Sequence, residues 1–460
     1  MIKVYFDWNV ISQMKNGYHE ELKNIVFNTD KLFKPFSTSH IGDILSSYNE
    51  SEKQILHIES DLEYLAKYSN NLCLFNNGKE IVLDYSSPKE LFEQRIEEKE
   101  IFSDLSLSGL SKIFDEYEPI EGFGKHFTNL LSSIPFDEVF LQALNNSQQL
   151  QSLFPGLKEN PTMEGFFDCF NKILKGLNEE EDYKELRKTV QTGIGINRDR
   201  VFDSKSPFNQ IEKEYKKYNF TLDSHANISK NIPQWFNEIT NAYLFLDMHG
   251  YQEDNVNTKN GRKETFKNTT EDAFHCAFAS MCNFYVINDN KSYKKAKQVF
   301  EKLNINTCVL KPNEFVEYYN NYLNLSDRIL NLLIPFNLIK NGEYFEDNLD
   351  GAILRTYILP YFIFDYFNKI LVLLPDNSTE FTILLSQNEP TNSKKTYLME
   401  IERLVAEISK LLGPDIEELG KINKEELSQE NWIGRKWKFE DSIYRLVRIN
   451  GHFQLYFDLK

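Results

Sequence analysis

The fold turns on one stretch, Thr270-Glu-Asp-Ala-Phe-His-Cys-Ala277 followed by Phe284-Tyr-Val-Ile-Asn-Asp289. Thr269 or Thr270 can cap a helix running to about Met281, and Asn283 to Asn288 forms a short strand. Lys291 to Leu303 returns as a helix. Asn306 to Leu310 is a further strand, ended by Lys311-Pro312, and Asn313 to Tyr322 closes as a helix. Helix, strand, helix, strand in that order predicts parallel strands joined by right-handed crossovers.

The opening of the chain, Ile2-Lys-Val-Tyr-Phe-Asp-Trp-Asn-Val-Ile11, has a similar character. Apart from Lys3, residues Ile2 to Phe6 are β-branched or aromatic, which suits a largely buried strand. A strand that begins at once predicts no signal peptide. A polar helical segment follows, and Lys31 to Phe36 reads as a second strand. In Ser37-Thr-Ser-His-Ile-Gly-Asp-Ile-Leu45, Ser39 can cap a helix with Ile41, Ile44 and Leu45 at core spacing.

From about Glu50 to Thr240 the pattern is helical and charged, with Ile55, Leu62 and Leu65 among its periodic apolar positions. Acidic runs at 97–100 and 179–182 read as solvated faces. Turn clusters such as Phe154-Pro-Gly156 and Glu159-Asn-Pro161 punctuate the region. Helix resumes near Asn241 to His249, and a polar loop spans Gln252 to Asn268. After Leu325 the composition shifts. The stretch from Ile329 to Leu374 is rich in Phe, Tyr and Leu, and Tyr397 to Leu412 is amphipathic. Residues 435–440, 442–448 and 453–458 form an antiparallel meander with a turn at Gly451. The expected organisation is an α/β protein: a parallel sheet flanked by helices from 1–50 and 241–324, a helical insertion at 51–240, and an α+β module at 325–460.

A length of 460 residues suits two or three domains. The net charge of −17 argues against a protein that coats nucleic acid non-specifically, while leaving room for a local basic groove. Five scattered cysteines without a C-x-x-C pair argue against a disulfide framework and a thiolate zinc site; Cys276 and Cys282 read as small core residues. The greasy stretch from Ile353 to Leu374 carries Arg355, Asp365 and Lys369, too much charge for a membrane span. A soluble cytoplasmic protein with no membrane partner is expected.

Candidate chemistry lies in four aspartates. Asp7 and Asp289 each follow a strand, and in an open parallel sheet ligands collect beyond the carboxyl ends of the strands. Asp272 falls in the first turn of the helix leading to the Asp289 strand, and Asp43 lies early in another helix. Gathered together, they would repel unless protons or cations intervened. Hard oxygen ligands of this kind suit Mg²⁺ or Mn²⁺, which promote in-line hydrolysis at phosphorus. Each has a plain structural reading too. Thr269 and Asp272 are spaced as a capping box, Asp43 can meet a helix dipole, and Asp289 can make an Asx turn. His275 shares a helix face with Asp272 and can serve merely as a hydrogen-bonded core histidine.

Taken together these pieces resemble the PIN-domain nucleases. Tyr5-Phe-Asp-Trp-Asn-Val-Ile11 resembles that family's strand ending in Asp-x-Asn, and Ser37 to Asp43 its second acidic position. Glu271-Asp-Ala-Phe-His-Cys-Ala277 is similar to its Asp-Ala-x-His-x-Ala segment, and Val286-Ile-Asn-Asp289 with Cys308-Val-Leu-Lys-Pro312 to its closing strands. The resemblance covers roughly the first 50 residues and 240–322. The chain departs from the family at Trp8, at Asp43 where Glu is common, and at Asn288 where a small hydroxyl residue is usual. The resemblance implies Asp7, Asp43, Asp272 and Asp289 as catalytic metal ligands for Mg²⁺ or Mn²⁺, with Asn9 and Asn288 in support. It also implies a nuclease acting on single-stranded RNA in preference to DNA.

Lys259, Arg262, Lys263 and Lys267 precede Asp272, while Lys291, Lys294, Lys295 and Lys297 follow Asp289. They can form a belt that tracks phosphates, or a solvated basic surface. Phe266 and Tyr293 can stack on bases or join the core. Two other functions compete. A haloacid-dehalogenase-like phosphatase needs a second aspartate where Asn9 stands. A non-catalytic PIN-like scaffold would bind a protein partner, or self-associate, through the insertion or the C-terminal module. The large added regions point to a regulated effector, as in stress response or antiviral defence.

Overall fold

The computed structural model describes residues 1–48, 51–102, 142, 146, 187–188, 190–192, 194–216, 232–253, 266–324, 330–376, 381–393, 396–428, 432 and 434–458. Among these the architecture is mixed α/β: a parallel four-stranded sheet with helices, a three-stranded sheet, and a seven-stranded antiparallel sheet in the C-terminal region. Strand β1 (Ile2–Phe6) pairs in parallel with β2 (Leu32–Phe33) and with β6 (Phe284–Val286), and β6 pairs in parallel with β7 (Cys308–Leu310). The order is β2-β1-β6-β7. Every residue of β1 is buried, as a strand flanked on both sides requires. The register Val4↔Phe284, Tyr5↔Tyr285, Phe6↔Val286 brings the chain's opening against a strand more than halfway along it.

Two compact units emerge. One comprises Met1–Lys3, Glu21–Phe33 and Asn313–Lys460; the other comprises Val4–Glu20 and Lys34–Pro312. In the second unit the Gln234–Met248 helix packs on the Phe266–Ala279 helix around Phe236, Tyr243, Phe278 and Tyr285. Full burial of each such aromatic or large aliphatic side chain contributes about 2 kcal/mol. The Asn290–Lys302 helix joins this core through Ala296, Val299 and Phe300.

The region from Glu50 to Thr240 departs from the all-helical expectation. After the Glu52–Ser69 helix, β4 (Leu72–Asn76) and β5 (Ile81–Tyr85) pair antiparallel, and β4 adds in parallel to β3 (Phe36–Ser37). The reason is local. Asn70 and Asn71 adopt left-handed backbone (φ 53° and 60°), which stops the helix and reverses the chain. Leu72-Cys-Leu-Phe75 then supplies a short apolar run too brief for a helix. The single strand expected over Lys31 to Phe36 is also corrected. It is split at Lys34-Pro35 into β2 and β3, which join different sheets, and Pro35 has no N–H to continue a ladder. The cap expected from Ser39 belongs to Ser37, ahead of the Thr38–Ser46 helix. The acidic run at 179–182 and the turns near 154–161 fall outside the described residues.

In the C-terminal region β8 (Phe345–Leu349), β9 (Ala352–Ile363), β10 (Phe367–Pro375), β11 (Thr382–Ser386), β12 (Arg435–Phe439), β13 (Ser442–Ile449) and β14 (His452–Asp458) form one sheet, ordered β12-β13-β14-β11-β10-β9-β8. The greasy stretch is the β9–β10 hairpin. No helix among the described residues is long and apolar enough to cross a membrane. Asn450 and Gly451 both have positive φ (52° and 85°), the conformation a tight two-residue hairpin turn demands. The amphipathic Leu398–Leu412 helix lays Ile401, Leu404, Val405 and Ile408 in the same apolar core as Tyr357, Ile370, Leu385 and Trp437.

Lys3, the one charge in β1, is 2% exposed and meets the fully buried Glu400 at 3.3 Å, within the unit that both belong to. Glu400 also accepts from the Tyr397 N–H at 2.9 Å. The substitution Glu400→Gln keeps the cap and removes the counter-charge, so urea denaturation should show a loss of about 3 kcal/mol. An unchanged transition would show that this pair is not a buried charge contact.

Candidate acidic site

Asp7 directly follows β1, and its N–H donates to the Val286 carbonyl at 2.9 Å, so the acid leaves the sheet beside the end of β6. It is the N-cap of the Trp8–Lys15 helix and accepts from the Asn9 N–H at 3.2 Å. The side chain is only 3% exposed. Burial, then the charges of Asp43 and Asp289, push its pKa up to about 6, while His275 and the Asn9 N–H act in the opposite sense. Asp289 caps the Asn290–Lys302 helix, accepting from the Lys291 and Ser292 N–H groups at 2.9 and 2.7 Å, and is exposed. The Asx-type role anticipated for it is thus real and coexists with its place at the edge of the acidic cluster.

Asp272 lies in the Phe266–Ala279 helix and accepts from the Ser292 hydroxyl at 3.2 Å. Its pKa is raised well above the carboxylate range by burial and then by Asp7, with Lys295 opposing and Asp43 adding to the rise. Helix is already formed at Phe266, so Thr269 does not stand at a helix start and the Thr269–Asp272 capping box is not the explanation of this acid. Asp43, in the Thr38–Ser46 helix, accepts from His275 Nε2 at 2.9 Å and keeps 27% of its side chain exposed.

His275 is the residue that sequence reasoning undervalued. It is fully buried and shares both ring nitrogens: Nε2 with Asp43, and Nδ1 with the Tyr5 hydroxyl at 2.6 Å. Burial pulls its pKa down. The charge and hydrogen bond of Asp43, with Asp7 and Glu271, outweigh this and raise it to about 9. An imidazolium donates from both nitrogens, which assigns the rest of the chain of bonds. Tyr5 accepts from His275 and donates to Ser37 Oγ at 2.6 Å. His40, held neutral by burial and by the His275 charge, accepts at Nδ1 from the Ser37 N–H at 2.9 Å and donates from Nε2 to the Phe6 carbonyl at 2.9 Å. The signal for this network was Ser37-Thr-Ser-His40, a capping box with His in place of the usual acid. Gly42 leaves room for the Glu271 carboxylate, which occupies the space a Cβ would take.

The supporting asparagines behave differently. Asn9 acts through its backbone and its side chain is exposed; Asn288 Nδ2 donates to Gln13 Oε1 at 2.9 Å. The basic belt is only partly available. Lys295 is fully buried and pairs with Asp247 at 2.6 Å, which removes it from the belt, because a buried ammonium needs a fixed counter-charge. Lys294 pairs with Asp203 at 3.0 Å, and Lys291 Nζ donates to the Glu253 carbonyl at 3.1 Å. Tyr293 packs against the core, with the ammonium groups of Lys297 and Lys311 over its ring at 4.3 and 4.7 Å. Lys259, Arg262 and Lys263, with the side chains of Phe266 and Lys267, lie outside the described residues.

Neighbouring carboxylates therefore bear on the ionisation of two acids, Asp43 and Asp289 on Asp7, and Asp7 and Asp43 on Asp272, with the buried His275 opposing them in both cases. As the side chains stand, no group of three or more His, Cys, Asp or Glu among the described residues is placed to hold a metal ion. The geometric cause is visible: Asp43 is turned to His275, and Asp289 to its helix N-terminus. The donor chemistry suits a hard cation, since Asp7 and Asp272 each ionise against burial and against neighbouring carboxylates, and a divalent ion would relieve both costs. No protein-family model, curated protein or solved structure matches this chain.

Two pH-linked outcomes follow. Asp7 is raised from 3.8 to about 6, so its proton-linked stabilisation is present below about pH 4 and lost as pH rises through about 6. Asn caps helices as well as Asp does. Asp7→Asn should therefore stabilise the protein near neutral pH by roughly 2 kcal/mol and give no gain below about pH 4, read by denaturation at each pH. His275 is raised from 6.5 to about 9, so its stabilisation holds below about pH 6.5 and fades as pH rises through about 9. His275→Ala should cost roughly 3 kcal/mol near neutral pH, less above pH 9. A pH-independent cost would contradict the charged pairing with Asp43.

Proposed function

We propose that this chain is a divalent-cation-dependent PIN-like nuclease that hydrolyses phosphodiester bonds in single-stranded RNA in preference to DNA. What supports it most is that Asp7 and Asp289 follow two neighbouring parallel strands, where ligands gather in open sheets, while the charge of Asp43 bears on both Asp7 and Asp272. Asp7 and Asp272 would hold Mg²⁺ or Mn²⁺, with Asp43 and Asp289 completing the acidic rim. A bound ion of this kind supplies a water of lowered pKa and neutralises charge on the leaving oxygen. The protein's own residues orient the acids: the Asn9 N–H fixes the Asp7 carboxylate, and the Ser292 hydroxyl fixes that of Asp272. His275 holds Asp43 and supplies positive charge beneath the site. Lys294 and Lys297 lie on the exposed side of the helix that Asp289 caps and can meet the phosphate backbone.

A non-catalytic PIN-like scaffold is the second reading. It is favoured by the engagement of Asp43 with His275 and by the absence, among the described residues, of a ready three-ligand set. We read the inserted region and the C-terminal sheet as parts that regulate or direct the nuclease, as in a stress-response or antiviral effector. Unchanged activity and selectivity after removal of 325–460 would count against that role.

The deciding assay incubates labelled single-stranded RNA and DNA with Mg²⁺, with Mn²⁺ or with EDTA. RNA cleavage should require the metal and fall more than about a hundredfold in Asp7→Asn, equivalent to ~3 kcal/mol of transition-state stabilisation. Mn²⁺ should also raise the thermal midpoint of the native chain and not of that variant. A folded native chain that neither cleaves RNA nor responds to Mn²⁺ would leave the scaffold.

A further inference from the structure

The two edges of the seven-stranded sheet are treated differently. At one end, β12 exposes Lys436 and Lys438, and the Ile416 N–H donates to the Lys436 carbonyl at 2.8 Å, so its outer edge is both guarded by charge and partly occupied by the preceding loop. At the other end, all five residues of β8 are exposed. β8 hydrogen-bonds to β9 and, among the described residues, to no other strand. It carries no lysine, proline or bulge, and its guard against pairing is the negative charge of Glu346 and Asp347. Cross-strand alternation puts Phe345, Asp347 and Leu349 on one face of the sheet, and Ile358 of β9 on that same face. Phe345 is 69% exposed, Leu349 48% and Ile358 45%, a large apolar outlay at a bare backbone edge.

We propose that β8 is a docking edge for an extended, basic segment of another protein, which adds to the sheet as a further strand. Charge selects this occupant. Residues 343–350 hold Glu343, Glu346, Asp347 and Asp350 and no basic residue. Arg355 on β9 neutralises only Glu346, through a 3.0 Å hydrogen bond. A second copy presenting its own β8 would set acids opposite acids, which opposes pairing. A second copy presenting its basic β12 offers an edge already engaged by Ile416. A foreign strand alternating lysine or arginine with apolar residues meets neither obstacle. Its backbone satisfies the open N–H and C=O groups, its apolar side chains cover Phe345, Leu349 and Ile358 on one face, and its cations project on the other face, that of Glu346, within the acidic field of residues 343–350.

The test uses the full chain and three fluorescent peptides: one alternating lysine with valine, the same peptide N-methylated at alternate amides, and one alternating glutamate with valine. The native chain should bind the first at least about tenfold more tightly than the other two. The variant E346K/D347K, whose folding is checked by its thermal midpoint, should reverse the preference between lysine and glutamate peptides. Equal binding of the N-methylated peptide would reduce the contact to charge alone and overturn strand addition. Failure to bind the lysine peptide, or binding that ignores the reversal, would also overturn it. Sedimentation of the chain by itself supplies the last arm: a dimer abolished in E346K/D347K would give the edge to a second copy instead.

Discussion

A carboxylate fastened to the end of a wholly buried strand has nowhere to go, and Asp7 is in that position. The chain leaves β1 with the Asp7 N–H still hydrogen-bonded to Val286, so the side chain emerges beside β6 and cannot swing into solvent without breaking the sheet. Its desolvation is therefore built into the register. The rest of the site follows from the need to tolerate it. A helix N-terminus faces it through the Asn9 N–H, and a buried imidazolium lies within its field. That imidazolium is itself secured by Asp43 on one nitrogen and by the Tyr5–Ser37 hydroxyl pair on the other. Tyr5 comes from β1, Ser37 from β3 and His275 from the Phe266–Ala279 helix, so a single line of hydrogen bonds ties the elements that carry the acids.

Much of this framework was legible in the residues. The apolar run Val4-Tyr-Phe6 and its counterpart Phe284-Tyr-Val286 were each readable as buried strands, whereas their adjacency was not, because the crossover pattern spoke only for the strands at 284 and 308. The Asn450-Gly451 turn and the amphipathic Leu398–Leu412 helix were equally plain, because one depends on local backbone chemistry and the other on periodicity. The strands β4 and β5 were hidden. Ile81-Val-Leu-Asp-Tyr85 lies between two long charged helices and has no alternation strong enough to stand apart from them. The full extent of the C-terminal sheet was hidden for another reason: β11 joins β14 across two intervening helices and two strands, a non-local pairing that no window of sequence reports.

The acids were found and their partners were missed, for one physical reason. A carboxylate after a strand is conspicuous because it contradicts its surroundings, whereas Tyr5, Ser37 and His40 each agree with theirs. Tyr5 passes for core in a buried strand, and Ser37 stands two residues ahead of Ser39, the cap expected from the sequence. Only their mutual distances show the line of hydrogen bonds that runs from His275 through Tyr5 to Ser37 and on to His40. Lys295 misled in the opposite direction. Spacing put it in a basic helix face, while the structure buries it against Asp247 with Tyr243 beneath the ammonium at 5.1 Å. A lysine's four-carbon stem lets it read as surface in a sequence and serve as interior in a fold.

The four acids divide into two kinds, and the division bears on what the site is for. Asp43 and Asp289 have strong partners, an imidazolium and a pair of helix N–H groups, so structural economy alone can account for them. Asp7 and Asp272 accept only one hydrogen bond each among those described, from Asn9 and Ser292; burial with Asp43 and Asp289 drives Asp7 toward protonation, and burial with Asp7 and Asp43 drives Asp272 the same way. Stability alone would favour amides at these two positions, since an amide keeps the hydrogen bond and sheds the charge. Two aspartates whose burial opposes their ionisation therefore impose a standing cost on the fold. Such a cost is characteristic of groups kept for binding or chemistry rather than for packing.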